Sequence, residues 1–352
     1  MRIGFVWTGF TGYMADCWRE LASRPGVELK VWIEECRKSD TAFDVRQIMQ
    51  GLDFSWKYSD QIGDRELEAF ESEIGEFTPD VLFVCGWARR LPPFVAKSGR
   101  LCTVPKIMCC DMPWEWKIRK FAARILLWRH LRRFKKIMVP GLSAARYARW
   151  LGFKEENIIR GEYGVDIKRF VSNSGFGKSR KGFVFVGRLV KAKGIRILAA
   201  AYRLYRQMIG GQENVWDLHV YGTGPEECLL KDVDGVKLHG FVQPDALPEI
   251  YSSAGAFVLA SEWEPWGVVL VEAAASGMPI ICTDKCGARH EVLKGNGVVV
   301  NAKSPQAMAN AMYEIAHGNA GINGESGIGL ARAYSCESWA DRVIEESMKC
   351  IP

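Results

Sequence analysis

Residues Leu259–Gly277 read LASEWEPWGVVLVEAAASG. An apolar run ends near Ser261, a polar loop carries Glu264, Pro265, Trp266 and Gly267, and a helical pattern opens at Val268. This is a buried strand feeding a helix through a short turn, the repeating unit of parallel sheets with crossover helices. Gly267 frees the backbone to approach a ligand. The first helical N–H groups, at the positive end of the helix dipole, are ready for an anion or a hydroxyl. Glu264 falls on the loop and Glu272 in the second turn of the helix. Glu272 stands among Val269, Leu270, Val271, Ala273 and Ala274, where an unpaired carboxylate is costly to bury, so it needs a partner.

The same alternation runs outward in both directions. Strands are expected near Ile3–Trp7, Glu28–Ile33, Val81–Cys85, Lys106–Cys109, Lys136–Val139 and Asn157–Arg160. A second series is expected near Gly182–Val186, Asp217–Tyr221, Val236–His239, Ala256–Leu259, Pro279–Cys282 and Val298–Val300. The chain is therefore α/β throughout, with 352 residues suiting two domains better than one. Residues 171–180, VSNSGFGKSR, have little to bury and read as a linker. This places an N-terminal Rossmann-like domain at 1–170 and a C-terminal one at 181–335. Residues 336–352 have a helical pattern that suits packing back on the first domain. Two such doubly wound domains leave a cleft, and ligands of these sheets sit at the carboxyl ends of the strands, where the strand order reverses.

Phe183–Gly194, FVFVGRLVKAKG, supplies a second chemical element: a buried strand, a turn at Gly187, then Arg188 and Lys193 before a helix. Two cations at a strand-to-helix turn suit a diphosphate, guanidinium binding oxygens in pairs and ammonium adding a compact charge. Val220–Pro225, VYGTGP, is a strand followed by a Gly-x-Gly turn at Gly222, and His239–Val242, HGFV, ends another strand.

The run Ser261-x-x-Glu264-x-x-Gly267-x4-Glu272-Ala273-x-Ala275-x-Gly277-x-Pro279, with the G-R-L-x-x-x-K-G pattern ahead of it, resembles the donor site of family 4 glycosyltransferases of the GT-B fold (glycosyl transferases group 1). The resemblance covers about Gly182 to Asn301 well and the first domain more loosely. It implies two Rossmann-like domains facing across a cleft. It further implies that Glu264 contacts the donor sugar and Glu272 binds the ribose diol. Arg188 and Lys193 would stabilise the leaving nucleotide diphosphate as charge develops on it. Gly187, Gly222, Trp266, Gly267 and Val268 would line the donor site, with Phe241 or Val242 beside the base. The implied reaction retains anomeric configuration, a phosphate oxygen taking the acceptor's proton.

In the first domain, Trp7–Tyr13, WTGFTGY, places Gly9 and Gly12 at a turn into a helix and lacks the G-x-G-x-x-G dinucleotide fingerprint. In the family resembled, this loop faces donor phosphates and acceptor. Many members carry a histidine near the end of a middle strand. Here Lys106–Trp114, KIMCCDMPW, has none, and Asp111 is the nearest polar candidate, suited to holding an acceptor hydroxyl, to acting as a catalytic base or to capping a helix. Residues 117–136, KIRKFAARILLWRHLRRFKK, interleave cations with Phe, Ile, Leu and Trp. That pattern reads either as a helix attracted to an anionic membrane surface or as a core helix with a solvated basic face.

Composition narrows the alternatives. Eleven cysteines fall without linked C-x-x-C units, and five histidines, at 130, 219, 239, 290 and 317, have no shared-metal spacing. Reduced thiols and no metal site are expected. Asp232-Val233-Asp234 spells the Asp-x-Asp of metal-dependent transferases but sits in a connection into a strand. No stretch reaches the roughly 18 to 20 apolar residues of a membrane span, and MRIGFVW runs straight into a strand, so a cytoplasmic protein is expected, with peripheral attachment at the inner membrane face as the alternative. A net charge of +6, its basic stretch confined to one segment, does not suit a nucleic-acid module. The expected partners are a nucleotide-sugar donor, which is a substrate and not a cofactor, and a saccharide or polyprenyl-linked acceptor. A sugar-nucleotide epimerase of the same fold and a non-catalytic nucleotide-sugar-binding subunit are the rival readings.

Overall fold

The computed structural model describes residues 1–351 except 36–44, 116–117, 173–179, 211–214 and 319–320. The chain divides into two compact units, one of residues 1–165 with 335–352 and one of residues 166–334. Most of the expected linker 171–180, and Lys117 at the start of the basic segment, lie outside the described residues.

The first unit holds seven strands: β1 (Arg2–Thr8), β2 (Glu28–Glu35), β3 (Phe54–Tyr58), β4 (Val81–Cys85), β5 (Lys106–Cys109), β6 (Lys136–Val139) and β7 (Ile158–Arg160). They form one sheet in the order β3-β2-β1-β4-β5-β6-β7, every pairing parallel. The central strands are apolar on both faces because helices cover both. Ile3, Val6, Leu82, Phe83 and Met108 are fully buried, and Phe5 stacks on Phe83 at 4.8 Å. β3 was not expected from the sequence. Its residues are half-buried at the sheet edge, so it shows no apolar run.

The second unit holds six: β8 (Phe183–Val186), β9 (Leu218–Tyr221), β10 (Val236–Gly240), β11 (Ala256–Leu259), β12 (Ile280–Thr283) and β13 (Gly297–Val300). Their order is β10-β9-β8-β11-β12-β13, again all parallel. Each sheet starts in the middle, runs to one edge and then returns to the other side of its first strand. The order reverses between β1 and β4 in one and between β8 and β11 in the other, and these reversals mark where the carboxyl ends can hold a ligand.

The chain leaves the first unit after Val165 and returns at Ser335, where the two points are paired by a parallel bridge and the Cys336 N–H donates to the Val165 carbonyl at 3.0 Å. Ser335 caps the last helix, Cys336–Met348, which packs on the helix Gly12–Ala22. Among the described residues the cysteines are free thiols, and no helix is long and apolar enough to cross a membrane.

Candidate functional site

The outlets of β8, β9 and β10 lie edge to edge and are built of glycine. The Gly187 N–H donates to the Tyr221 carbonyl at 2.9 Å and the Gly222 N–H to the Gly240 carbonyl at 2.7 Å. Gly222 has φ +133°, and a Cβ there would stand 1.9 Å from the Gly187 carbonyl oxygen. Only glycine fits, and the result is a backbone floor at the strand ends. Phe241, about one-third exposed, and the half-buried Val242 follow Gly240 at its rim.

Across the reversal point, β8 and β11 are clasped. After Gly187 the chain passes exposed Arg188 and makes a short 3₁₀ turn, Lys191–Lys193, ended by Gly194 in the left-handed region. The Ala192 carbonyl accepts the N–H groups of Glu262 and Trp263 at 2.9 and 3.1 Å. That clasp brings Lys193 onto Glu264, and the two form an ion pair, 18% and 11% exposed. Ser261 Oγ donates to the same Glu264 oxygen at 3.4 Å. Gly267 caps the helix Val268–Ala275 with φ +96°, and a Cβ there would press to 3.1 Å from Glu264 Cγ, so the glycine leaves the carboxylate its place. Behind the loop, the Gly287 and Ala288 N–H groups donate to the Glu264 and Trp266 carbonyls at 3.0 and 2.9 Å.

Glu272 is 8% exposed and has the partner its surroundings demanded: Tyr251 OH donates to Glu272 Oε2 at 2.9 Å. Burial, and then the Glu272 charge, push the Tyr251 hydroxyl far above its ordinary range, so it stays a donor. Sequence reading missed Tyr251, whose only signal was an aromatic with a polar tip in a short amphipathic helix.

The structure thus joins Lys193 to Glu264 and sets Arg188 on the strand outlet from which Lys193 comes. Glu272 is on the helix that Gly267 opens, with Val268, half-buried, as its first residue. Trp266 departs from expectation. Its side chain is buried against Tyr334, ring centroids 5.2 Å apart, so the indole packs the loop from within. Asp234 of the Asp-x-Asp sequence pairs with Arg206.

Gly9, Gly12 and Asp111 belong to the first unit. Gly9 follows β1 with φ +79° and open space around it, and Gly12 begins the next helix. Asp111 follows β5 in extended chain. It stands seven residues ahead of the helix Ile118–Leu126.

Residues 166–322 match the family described as Glycosyl transferases group 1. An uncharacterised glycosyltransferase of Methanocaldococcus jannaschii is 32% identical over 185 residues, 49% of this chain and 43% of that protein. The D-inositol 3-phosphate glycosyltransferase of Corynebacterium urealyticum is 29% identical over 182 residues, 43% of this chain and 41% of that one. The aligned stretch thus spans under half the length of these relatives. In fold, the Anabaena protein HepE, solved with UDP and glucose, superposes with a TM-score of 0.75 over 99% of this chain and 100% of its own, at 16% identity. The unit that carries Arg188, Lys193, Glu264 and Glu272 is thus similar to the glycosyl transferases group 1 family, in a chain with the two parallel-sheet domains of the GT-B fold.

Proposed function

We propose that the protein is a glycosyltransferase that takes a sugar from a nucleotide diphosphate bound in the second unit and passes it, with retained configuration, to a saccharide or polyprenyl-linked acceptor. The observation that carries this reading is the Lys193–Glu264 ion pair at the β8/β11 reversal, beside a glycine floor and a helix N-terminus. A diphosphate at that place would draw Lys193 from Glu264 and meet Arg188. Glu264 would then be free to hold the sugar. The bond from the sugar's anomeric carbon to the phosphate oxygen breaks, that carbon bonds to the acceptor oxygen, and the leaving phosphate takes the acceptor's proton. In this reading charge stabilisation by Arg188, Lys193 and the helix-terminal amides supplies the catalysis without a metal. The Glu272 carboxylate would take the ribose hydroxyls, with Gly187 and Gly222 under the phosphates and Phe241 and Val242 beside the base.

Replacing Glu264 by Gln tests this. Transfer from UDP- or GDP-sugars should fall by at least 100-fold. Binding of the free nucleoside diphosphate should tighten about fivefold, because Lys193 no longer has to leave a carboxylate, a difference of about 1 kcal/mol. Lost nucleotide binding, or full activity, contradicts the assignment. A labelled sugar nucleotide without acceptor separates transfer from epimerisation.

The same proposal includes a membrane-facing surface in the first unit, at the cytoplasmic side. Ile125 and Leu126 are 74% and 78% exposed, Trp128 is exposed with Arg129 and Arg132 each 5.5 Å from its ring centroid, and Arg124 and Arg133 are exposed in the same segment. A core helix would have buried these side chains. Exposed apolar tips in a segment rich in exposed cations suit an anionic lipid surface, where each cation contributes roughly 1 kcal/mol. Co-sedimentation with anionic but not neutral liposomes is expected, and Leu126→Ser with Ile125→Ser should abolish it. Equal pelleting with both lipids removes the idea.

A further inference from the structure

The first unit gathers a second set of polar side chains at the carboxyl ends of its own strands. At the β1/β4 reversal, Thr8 Oγ1 lies 3.3 Å from Cys85 Sγ. Asp111 follows β5, and Glu162 and Tyr163 follow β7. Tyr13, in the first turn of the helix Gly12–Ala22, meets Tyr163 edge to face at 5.4 Å. Glu162 is 2% exposed, yet its Oε2 has no hydrogen-bond partner among the described residues. Leaving a carboxyl oxygen buried and unmatched costs roughly 1–3 kcal/mol, which asks for an occupant.

Nor is Glu162 there by slack in the chain. Its N–H donates to the Val139 carbonyl at 3.1 Å, and its own carbonyl accepts the Trp339 indole N–H at 2.8 Å. On either side, Gly161 accepts from Arg342 at 3.2 Å, and Gly164 has no room for a Cβ between Cys17 Sγ and Trp339. The first and last helices of the unit thus clamp Glu162 at the strand outlet.

We propose that Glu162, with Tyr13 and Tyr163, forms a hydroxyl-binding subsite in the first unit that takes an uncharged sugar or polyol acceptor. This inference rests on the glycosyltransferase reading. Burial, and then the neighbouring Asp111, push the Glu162 carboxyl well above its ordinary range, with the Cys110 backbone offsetting this only in part. Burial likewise raises Tyr13 and Tyr163. These shifts favour the protonated O–H form of all three groups. Each can donate and accept, as a sugar hydroxyl does. The titratable groups that face them are Cys85 at the end of β4, Cys109, Cys110 and Asp111 along β5 and its outlet, and Cys17 on the first helix. Arg342, on the last helix, is bonded to the Gly161 carbonyl. A carboxylate ligand would be repelled by Asp111.

Saturation-transfer NMR on the full chain, with methyl α-glucoside, glucosamine and glucuronate as probes, tests this. Methyl glucoside should bind the parent best. Glu162→Gln, a neutral donor and acceptor, should keep its affinity within about threefold, and Glu162→Ala should lose at least tenfold. As pH rises and Glu162 ionises, binding should weaken in the parent and not in the Gln variant. Equal binding to parent and Ala variant, no binding to the parent, or preference for glucosamine overturns the proposal. If the Ala variant does not fold, parallel pH profiles for parent and Gln variant do so. Thermal shift with UDP and GDP on the same samples reads the second unit. Failure there sinks the glycosyltransferase reading, whereas nucleotide binding with indifference to Glu162 sinks this inference alone.

Discussion

Glu272 shows how a single buried charge is managed. Its neighbours on the helix are apolar, and the Tyr251 hydroxyl is the donor that makes its burial tolerable. Removing that hydroxyl leaves a carboxylate oxygen short of a hydrogen bond in a poorly solvated place. Tyr251→Phe should therefore lower the unfolding free energy by about 1–3 kcal/mol in urea titration while the fold persists. A change below about 0.5 kcal/mol would mean that solvent already serves Glu272. The need for a partner was legible in the sequence, because the apolar context is local. The partner was not, since Tyr251 reaches Glu272 only through the packing of the helix Leu247–Ser253 in the tertiary structure. Glu162 escaped notice for a related reason: it lies two residues beyond a short strand, and nothing local marks its burial.

At the scale of elements, parallel strands buried on both faces announce themselves as apolar runs, so twelve of the strands could be read directly. The half-buried edge strand β3 could not. The glycines after the strands were legible as turns, but their separate duties were not. Gly222 and Gly9 both have positive φ, and the space around them differs completely. At Gly9 an added Cβ meets nothing within 4 Å, so Gly9→Ala should cost only backbone strain, about 1–2 kcal/mol. At Gly222 the Cβ would enter the Gly187 carbonyl and prise β9 from β8. Gly222→Ala should cost more than about 3 kcal/mol or abolish nucleoside diphosphate binding in a folded protein. Similar melting shifts for the two variants would contradict the close approach.

At the scale of the molecule, the sequence shows two α/β series but hides how the chain closes. The helix Ile167–Ser172 belongs with the second unit, where Phe170 meets Tyr251 at 5.6 Å. The last helix returns to the first, burying Trp339 beside Phe5 at 5.7 Å and placing Val343 in the same core. Contacts this far apart in the chain leave no local pattern beyond an amphipathic stripe. They do dictate which fragments can fold. A chain of residues 1–165 keeps all seven strands and loses the covering helix. Deleting Trp339 alone from such a core costs about 3–5 kcal/mol, against a total domain stability of about 5–15 kcal/mol. Residues 166–334 keep six strands, both clasped outlets and the Lys193–Glu264 pair. The second fragment should express as a folded protein with a cooperative thermal transition that a nucleoside diphosphate raises. The first should fold only when residues 335–352 are fused back or supplied as a peptide. Cooperative unfolding of 1–165 alone would show that the returning helix is a cover the first unit can do without, and Glu162 would then lose its clamp without losing its fold.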